Sequence, residues 1–73
     1  MRKAFKMENL DCANCAEKMQ HDISALPGVD DVNIAFMSQK MRLTLSDDAD
    51  IDSVLDAAQH IVSGYEKDCK IVR

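Results

Sequence analysis

The amino-acid sequence predicts an α+β fold in the order strand, helix, strand, strand, helix, strand, a βαββαβ sandwich. Its four strands form one antiparallel sheet, with two helices on one face. Three observations carry this expectation. Some segments alternate apolar and polar residues with a period of two, others repeat apolar residues at three- and four-residue spacing, and clusters of Pro, Gly and Asp separate them.

In the first segment, residues 3 to 7, Phe5 and Met7 fall on one side and Lys6 on the other, as in a half-buried strand. From Ala13 the apolar positions become Ala16, Met19, Ile23 and Leu26, one face of a helix, with Glu17, Lys18 and Asp22 largely elsewhere. Pro27-Gly28 ends that helix. Val32, Ile34 and Phe36 then alternate with Asp31, Asn33 and Ala35. Met41, Leu43 and Leu45 alternate with Arg42 and Thr44 across the polar break Ser38-Gln39-Lys40, which reads as a hairpin. Asp47-Asp48-Ala49-Asp50 offers capping oxygens and favourable charge to a second helix, whose apolar face is Ile51, Val54, Leu55, Ala58, Ile61 and Val62. Gly64 is expected to close it. In the last strand Cys69 and Ile71 oppose Asp68, Lys70 and Val72. This is the ferredoxin-like order, with one sheet face covered by helices and the other facing water.

Seventy-three residues suffice for a single domain, residues 1–73, that buries only about 60% of its unfolded surface. A deep catalytic cleft is not expected, and the reading is a binding module rather than an enzyme. With 47% hydrophobic and 30% charged residues the chain should fold. A net charge of −4 argues against a nucleic-acid partner. No apolar run approaches the ~20 residues of a membrane helix and no signal-peptide core follows Met1, so a cytoplasmic location is expected, including that of a cytosolic piece of a membrane protein. Three cysteines, an odd number, fit a reducing compartment better than a disulfide framework.

Two of those cysteines stand as Cys12-Ala13-Asn14-Cys15, the first in the loop after strand one and the second in the first turn of the helix. A helix N-terminus stabilises the thiolate, the form that binds metal. Asp11 precedes the pair. Two thiolates and one carboxylate carry three negative charges, which a divalent ion compensates better than a monovalent one. The hard carboxylate oxygen suits Zn²⁺ and not Cu⁺. Cys12, Cys15 and Asp11 are therefore the candidate metal ligands. Structural zinc sites are closed by four Cys or His ligands. A site with fewer is open to a partner's thiolates, which suits transfer of the ion.

The segments Leu10-Asp11-Cys12-Ala13-Asn14-Cys15-Ala16, Leu26-Pro27-Gly28-Val29 and Gly64-Tyr65 resemble the heavy-metal-associated domain over essentially the whole chain. That family occurs as free metallochaperones and as cytosolic N-terminal modules of heavy-metal-transporting P-type ATPases. Copper members usually carry Gly-Met where this chain has Asn9-Leu10, often with Thr at the position of Asp11. An aspartate directly before the first cysteine resembles the modules of zinc-, cadmium- and lead-exporting pumps, and Tyr65 stands where eukaryotic copper chaperones tend to carry lysine. The resemblance implies Zn²⁺ or Cd²⁺, with Pb²⁺ as a relative and Cu⁺ as the alternative. It implies as partner the transmembrane part of a metal-transporting ATPase or a metal-donating protein. The domain is expected to be a monomer, a metal-bridged dimer being the other arrangement.

A free copper(I) metallochaperone and a thiol-disulfide oxidoreductase are the competing readings of the Cys12/Cys15 pair. Asp11 is equally readable as a helix N-cap or turn residue. Cys69 is expected in the core, His21 and His60 in solvent, and Asp47, Asp48 and Asp50 as caps of the second helix rather than metal ligands. The scattered methionines suggest no thioether site.

Overall fold

Alternation along the strands places Met7, Val32, Ile34, Met41, Leu43, Leu45 and Ile71 on one side of a sheet, where two helices cover them. The computed structural model describes every residue, Met1–Arg73. Its elements are β1 (Arg2–Glu8), α1 (Ala13–Ser24), β2 (Val29–Ala35), β3 (Lys40–Leu45), α2 (Ile51–Tyr65) and β4 (Lys70–Val72). The strands are antiparallel in the order β2-β3-β1-β4, the expected ferredoxin-like sandwich.

The helices complete the core with Ala16, Met19 and Ile23 from α1 and Val54, Leu55, Ala58 and Val62 from α2. Burying a side chain such as Met19 or Ile23 contributes about 1.5–3 kcal/mol over exposure. No polar or charged residue is buried. The outer strands β2 and β4 are served by the helices above them. Gln20 Oε1 accepts the Ile34 N–H at 2.8 Å. Gln59 Oε1 accepts the Ile71 N–H at 2.8 Å while its Nε2 donates to the Cys69 carbonyl at 3.0 Å. Sheet edges present unpaired backbone groups, and these glutamines occupy some of them. No helix is long and apolar enough to cross a membrane.

Three local details differ from expectation. α1 stops at Ser24, and Leu26 packs half-buried from the turn that follows, where its N–H reaches Ile23 O at 3.0 Å. Phe36 lies past the end of β2, half-buried in the turn to β3, because Gln39 reverses the chain in the left-handed region (φ 56°). Gly64 does not close α2. The helix runs through it to Tyr65 and is capped by Glu66 in extended conformation, whose N–H still reaches Val62 O at 2.9 Å. A terminating glycine acts through a left-handed φ, and the one glycine with positive φ is Gly28 (φ 87°).

Gly28 turns the chain from α1 into β2, and its carbonyl accepts the Ser46 N–H at 3.0 Å. A Cβ there would stand 2.9 Å from the Cβ of Ala49, whereas at Gly64 nothing lies within 4 Å. Gly28→Ala is expected to destabilise by more than about 1 kcal/mol, and Gly64→Ala to stabilise by about 0.5–1 kcal/mol. Urea denaturation midpoints moving in opposite directions check both.

Candidate metal centre

The loop between β1 and α1 is held from three sides. Asn9 takes a left-handed φ of 60° and its Nδ2 donates to the Asp68 carbonyl at 3.2 Å. Leu10 turns into the core and is 2% exposed. The Gln39 amide brackets it, accepting the Leu10 N–H through Oε1 at 3.1 Å and donating through Nε2 to the Leu10 carbonyl at 2.6 Å. The Gln39 carbonyl in turn accepts the Met7 N–H at 2.7 Å. On the far side of Leu10, the Asp11 N–H donates to both carboxylate oxygens of Glu66, at 3.2 and 3.3 Å.

Cys12 is the N-cap of α1. Its backbone is extended (φ −123°, ψ 115°) and its Sγ accepts the Cys15 N–H at 3.2 Å. The thiol thus fills the capping role usually taken by a side-chain oxygen, which brings its sulfur over the free amides of the first turn. The two thiols are both half-buried and differ in acidity. Hydrogen bonding to the Cys15 side chain, and next to its amide, lowers Cys12 below the ordinary thiol value. Cys15 is raised, first by its side-chain hydrogen bond to Cys12, then by desolvation and the Cys12 charge, with the Glu66 carboxylate adding to the rise.

Cys12 and Cys15 therefore meet at a helix N-terminus, as expected. Asp11 is exposed beside them and is not the helix cap, since Cys12 takes that position. No group of three or more His, Cys, Asp and Glu side chains converges as a metal cluster. The arrangement offers two sulfurs and an open approach from solvent. Asp50 caps α2, accepting the Asp52 and Ser53 amides. With Asp48 it lines a hollow beside Pro27 and Gly28, past the C-terminal end of α1 and a helix length from the cysteines. His21 and His60 are exposed. Cys69 is fully buried, and burial pushes its thiol up to about 11. Sequence reasoning missed Glu66 and Gln39. Both are polar residues at element ends, and no spacing rule connects them to the cysteines.

The sequence pattern of the heavy-metal-associated domain matches residues 4–66, most of the chain. The chain belongs to this family. As a heavy-metal-associated domain it is a metal-binding module and not itself a catalyst. It is 32% identical over 59 residues to the zinc/cadmium/lead-transporting P-type ATPase of Escherichia coli K12, and 33% identical over 59 residues to that of Shigella sonnei. Each match covers 78% of this chain and 8% of the ATPase, so this chain spans a small fraction of those relatives. Among solved structures, a CopZ metallochaperone superposes with a TM-score of 0.76 at 12% identity, covering 99% of this chain and 100% of that one. The N-terminal domain of a potential copper-translocating P-type ATPase from Bacillus subtilis gives 0.76 at 17% identity, covering 97% and 82%. These two likenesses establish the fold.

Two outcomes are expected for the apo domain. Brief alkylation at neutral pH should modify Cys12 first, because its thiolate forms at lower pH, then Cys15, and leave Cys69 untouched until the chain unfolds. Peptide mass spectrometry reads that order, and raising the pH should narrow the gap between Cys12 and Cys15. Gln39→Met removes the bracket on Leu10 at nearly constant volume. The Leu10 amide should then exchange hydrogen at least about tenfold faster, a loss of the order of one hydrogen bond, while core amides of β1 and β3 keep their protection.

Proposed function

We propose that residues 1–73 form a single module that binds one soft divalent ion, Zn²⁺ or Cd²⁺ and by extension Pb²⁺, and hands it to a heavy-metal-exporting P-type ATPase or regulates it. The ATPase is taken to carry this module at its cytosolic N-terminus. The observation that carries the reading is a pair of thiols at a helix N-terminus, preceded by Asp11 and closed by no third thiol or imidazole. Cys12 and Cys15 are the proposed sulfur ligands and Asp11 the proposed oxygen ligand. Glu66, hydrogen-bonded to the Asp11 amide, adds a second carboxylate to the field around the thiols. That excess of negative charge favours a divalent over a monovalent ion.

An open site suits transfer because an incoming thiolate can add to the metal before either cysteine leaves. The partner is then the transmembrane part of the pump or a metal-donating protein, and the domain works as a monomer. The likeness in sequence to zinc/cadmium/lead-transporting ATPases supports this reading. The structural likeness to copper proteins keeps a free copper(I) chaperone as the second reading.

Anaerobic competition titration of the reduced domain with Zn²⁺, Cd²⁺ and Cu⁺ separates the two. One divalent ion should bind per monomer, Asp11→Ala should weaken it about tenfold or more, and Cu⁺ affinity should hardly move. Cys12→Ser/Cys15→Ser should abolish binding and leave the circular dichroism spectrum intact. Exclusive Cu⁺ binding that ignores Asp11→Ala would assign the domain to copper trafficking, and a strongly oxidising dithiol without metal affinity would make it an oxidoreductase.

A further inference from the structure

The chain is acidic, yet its open sheet face is basic. Strand register sets the outward residues in rows. One row crosses the sheet as Ala35, Lys40, Lys6 and Val72, and the next as Asn33, Arg42 and Ala4. Arg2 stands opposite Thr44 at one end of the face, and Lys70 opposite Glu8 at the other. Arg2, Lys6, Lys40, Arg42 and Lys70 are all exposed, and the opposing charges are Glu8 and Asp31 on the face, with Asp68 just before β4 and Asp30 at the irregularity of β2 on its margins, so cations still outnumber acids there. Neither ion pair of the structure, the Met1 amino group with Asp47 and Arg73 with Asp56, neutralises them. The acids gather on the helical side and its loops, where Glu17, Asp47, Asp48, Asp50, Asp52 and Asp56 are exposed.

This segregation opposes the stability of the isolated domain. Lys6 and Lys40 are directly opposite across β1 and β3, an arrangement of like charges that weakens a sheet. An anionic surface laid against the face would relieve it. The face has no hollow: both hollows of the surface lie around Pro27. Nor has it an aromatic side chain, and between the cations stand Ala4, Ala35 and the 40%-exposed Val72. Specific protein interfaces are centred on aromatic or Arg anchors seated in pockets. Long flexible cations side by side on a flat sheet suit instead a plane of phosphates that needs no shape match.

We propose that the open face of the sheet docks on the anionic headgroups of a lipid bilayer. The proposal rests on the pump-module reading, which sets the domain beside a membrane. Lying on its sheet, the domain would turn its acidic helices to water and leave Cys12 and Cys15, at the end of the sandwich, open to a partner at the level of the headgroups.

Co-sedimentation of the metal-free, reduced chain with lipid vesicles tests it. Binding is expected to vesicles containing phosphatidylglycerol, to be absent with phosphatidylcholine alone, and to fall as salt shortens the screening length. Lys6→Glu/Arg42→Glu should weaken binding by more than about tenfold. This variant should remain folded, since the carboxylate introduced in β1 would face Lys40 with opposite charge. Lys3→Glu/Lys67→Glu makes the same change in net charge away from the face and should alter binding less than about twofold. Equal loss in both pairs, or no binding to anionic vesicles, overturns the proposal, and capture by an acidic protein in place of vesicles does so too. Because metal is absent throughout, failure here leaves the metal titration standing. Failure of the divalent titration with vesicle binding intact would overturn the choice of metal and leave the docking face standing.

Discussion

Burial of Leu10 is the constraint on which the cysteine end of the molecule depends. Its side chain lies in the core while the next residue, Asp11, is exposed, so the chain must leave the sheet at one angle and enter α1 at another. That change of direction lets the Cys12 sulfur cap the helix, because the cap residue must be extended and its side chain must fold back over the first turn. A looser Leu10 would let the loop swing, and the two sulfurs would lose their common orientation. The apolar core and the cysteine pair meet at this residue and at Cys15, which itself packs against the core.

Glutamine side chains recur where the backbone would otherwise lack partners. Gln39 brackets Leu10, Gln59 brackets the start of β4, and Gln20 serves β2. A primary amide carries one acceptor and two donors on a flexible stem, so it can stand in for a missing strand neighbour. In a small domain with short outer strands this substitution satisfies edges without adding more sheet. It also ties helices to strands by polar contacts at the rim of an entirely apolar core.

Periodicity made the fold legible because every strand has one buried face and both helices have one apolar stripe. Met41, Leu43 and Leu45 could not be shifted by one residue without exposing all three. Cys12 and Cys15 were legible for the same reason, since the first apolar positions of α1 place the pair at its start. Gly64 was misread because a glycine near a helix end has two meanings, and only the backbone dihedral separates a terminator from an ordinary helical residue. The cap reading of Asp11 fell to Cys12, whose sulfur takes that position. Glu66 and Gln39 reach the loop from far along the chain, through side-chain hydrogen bonds that depend on how the loops close and leave no periodic trace in the sequence.

The helical Gly64 also bears on how the loop is held. An exposed glycine lowers helix stability, so the last turn of α2 rests on its contacts outside the helix, where Val62 is buried in the core and the Tyr65 hydroxyl donates to Asp22. Glu66 hangs from that turn, whereas Gln39 is rooted in the turn between two strands of the sheet. The loop that carries the cysteines therefore has two tethers rooted in different elements. The tether at Asp11 depends on the end of the helix, and the one at Leu10 depends on the sheet. Loss of either element would then release one side of the loop and leave the other held.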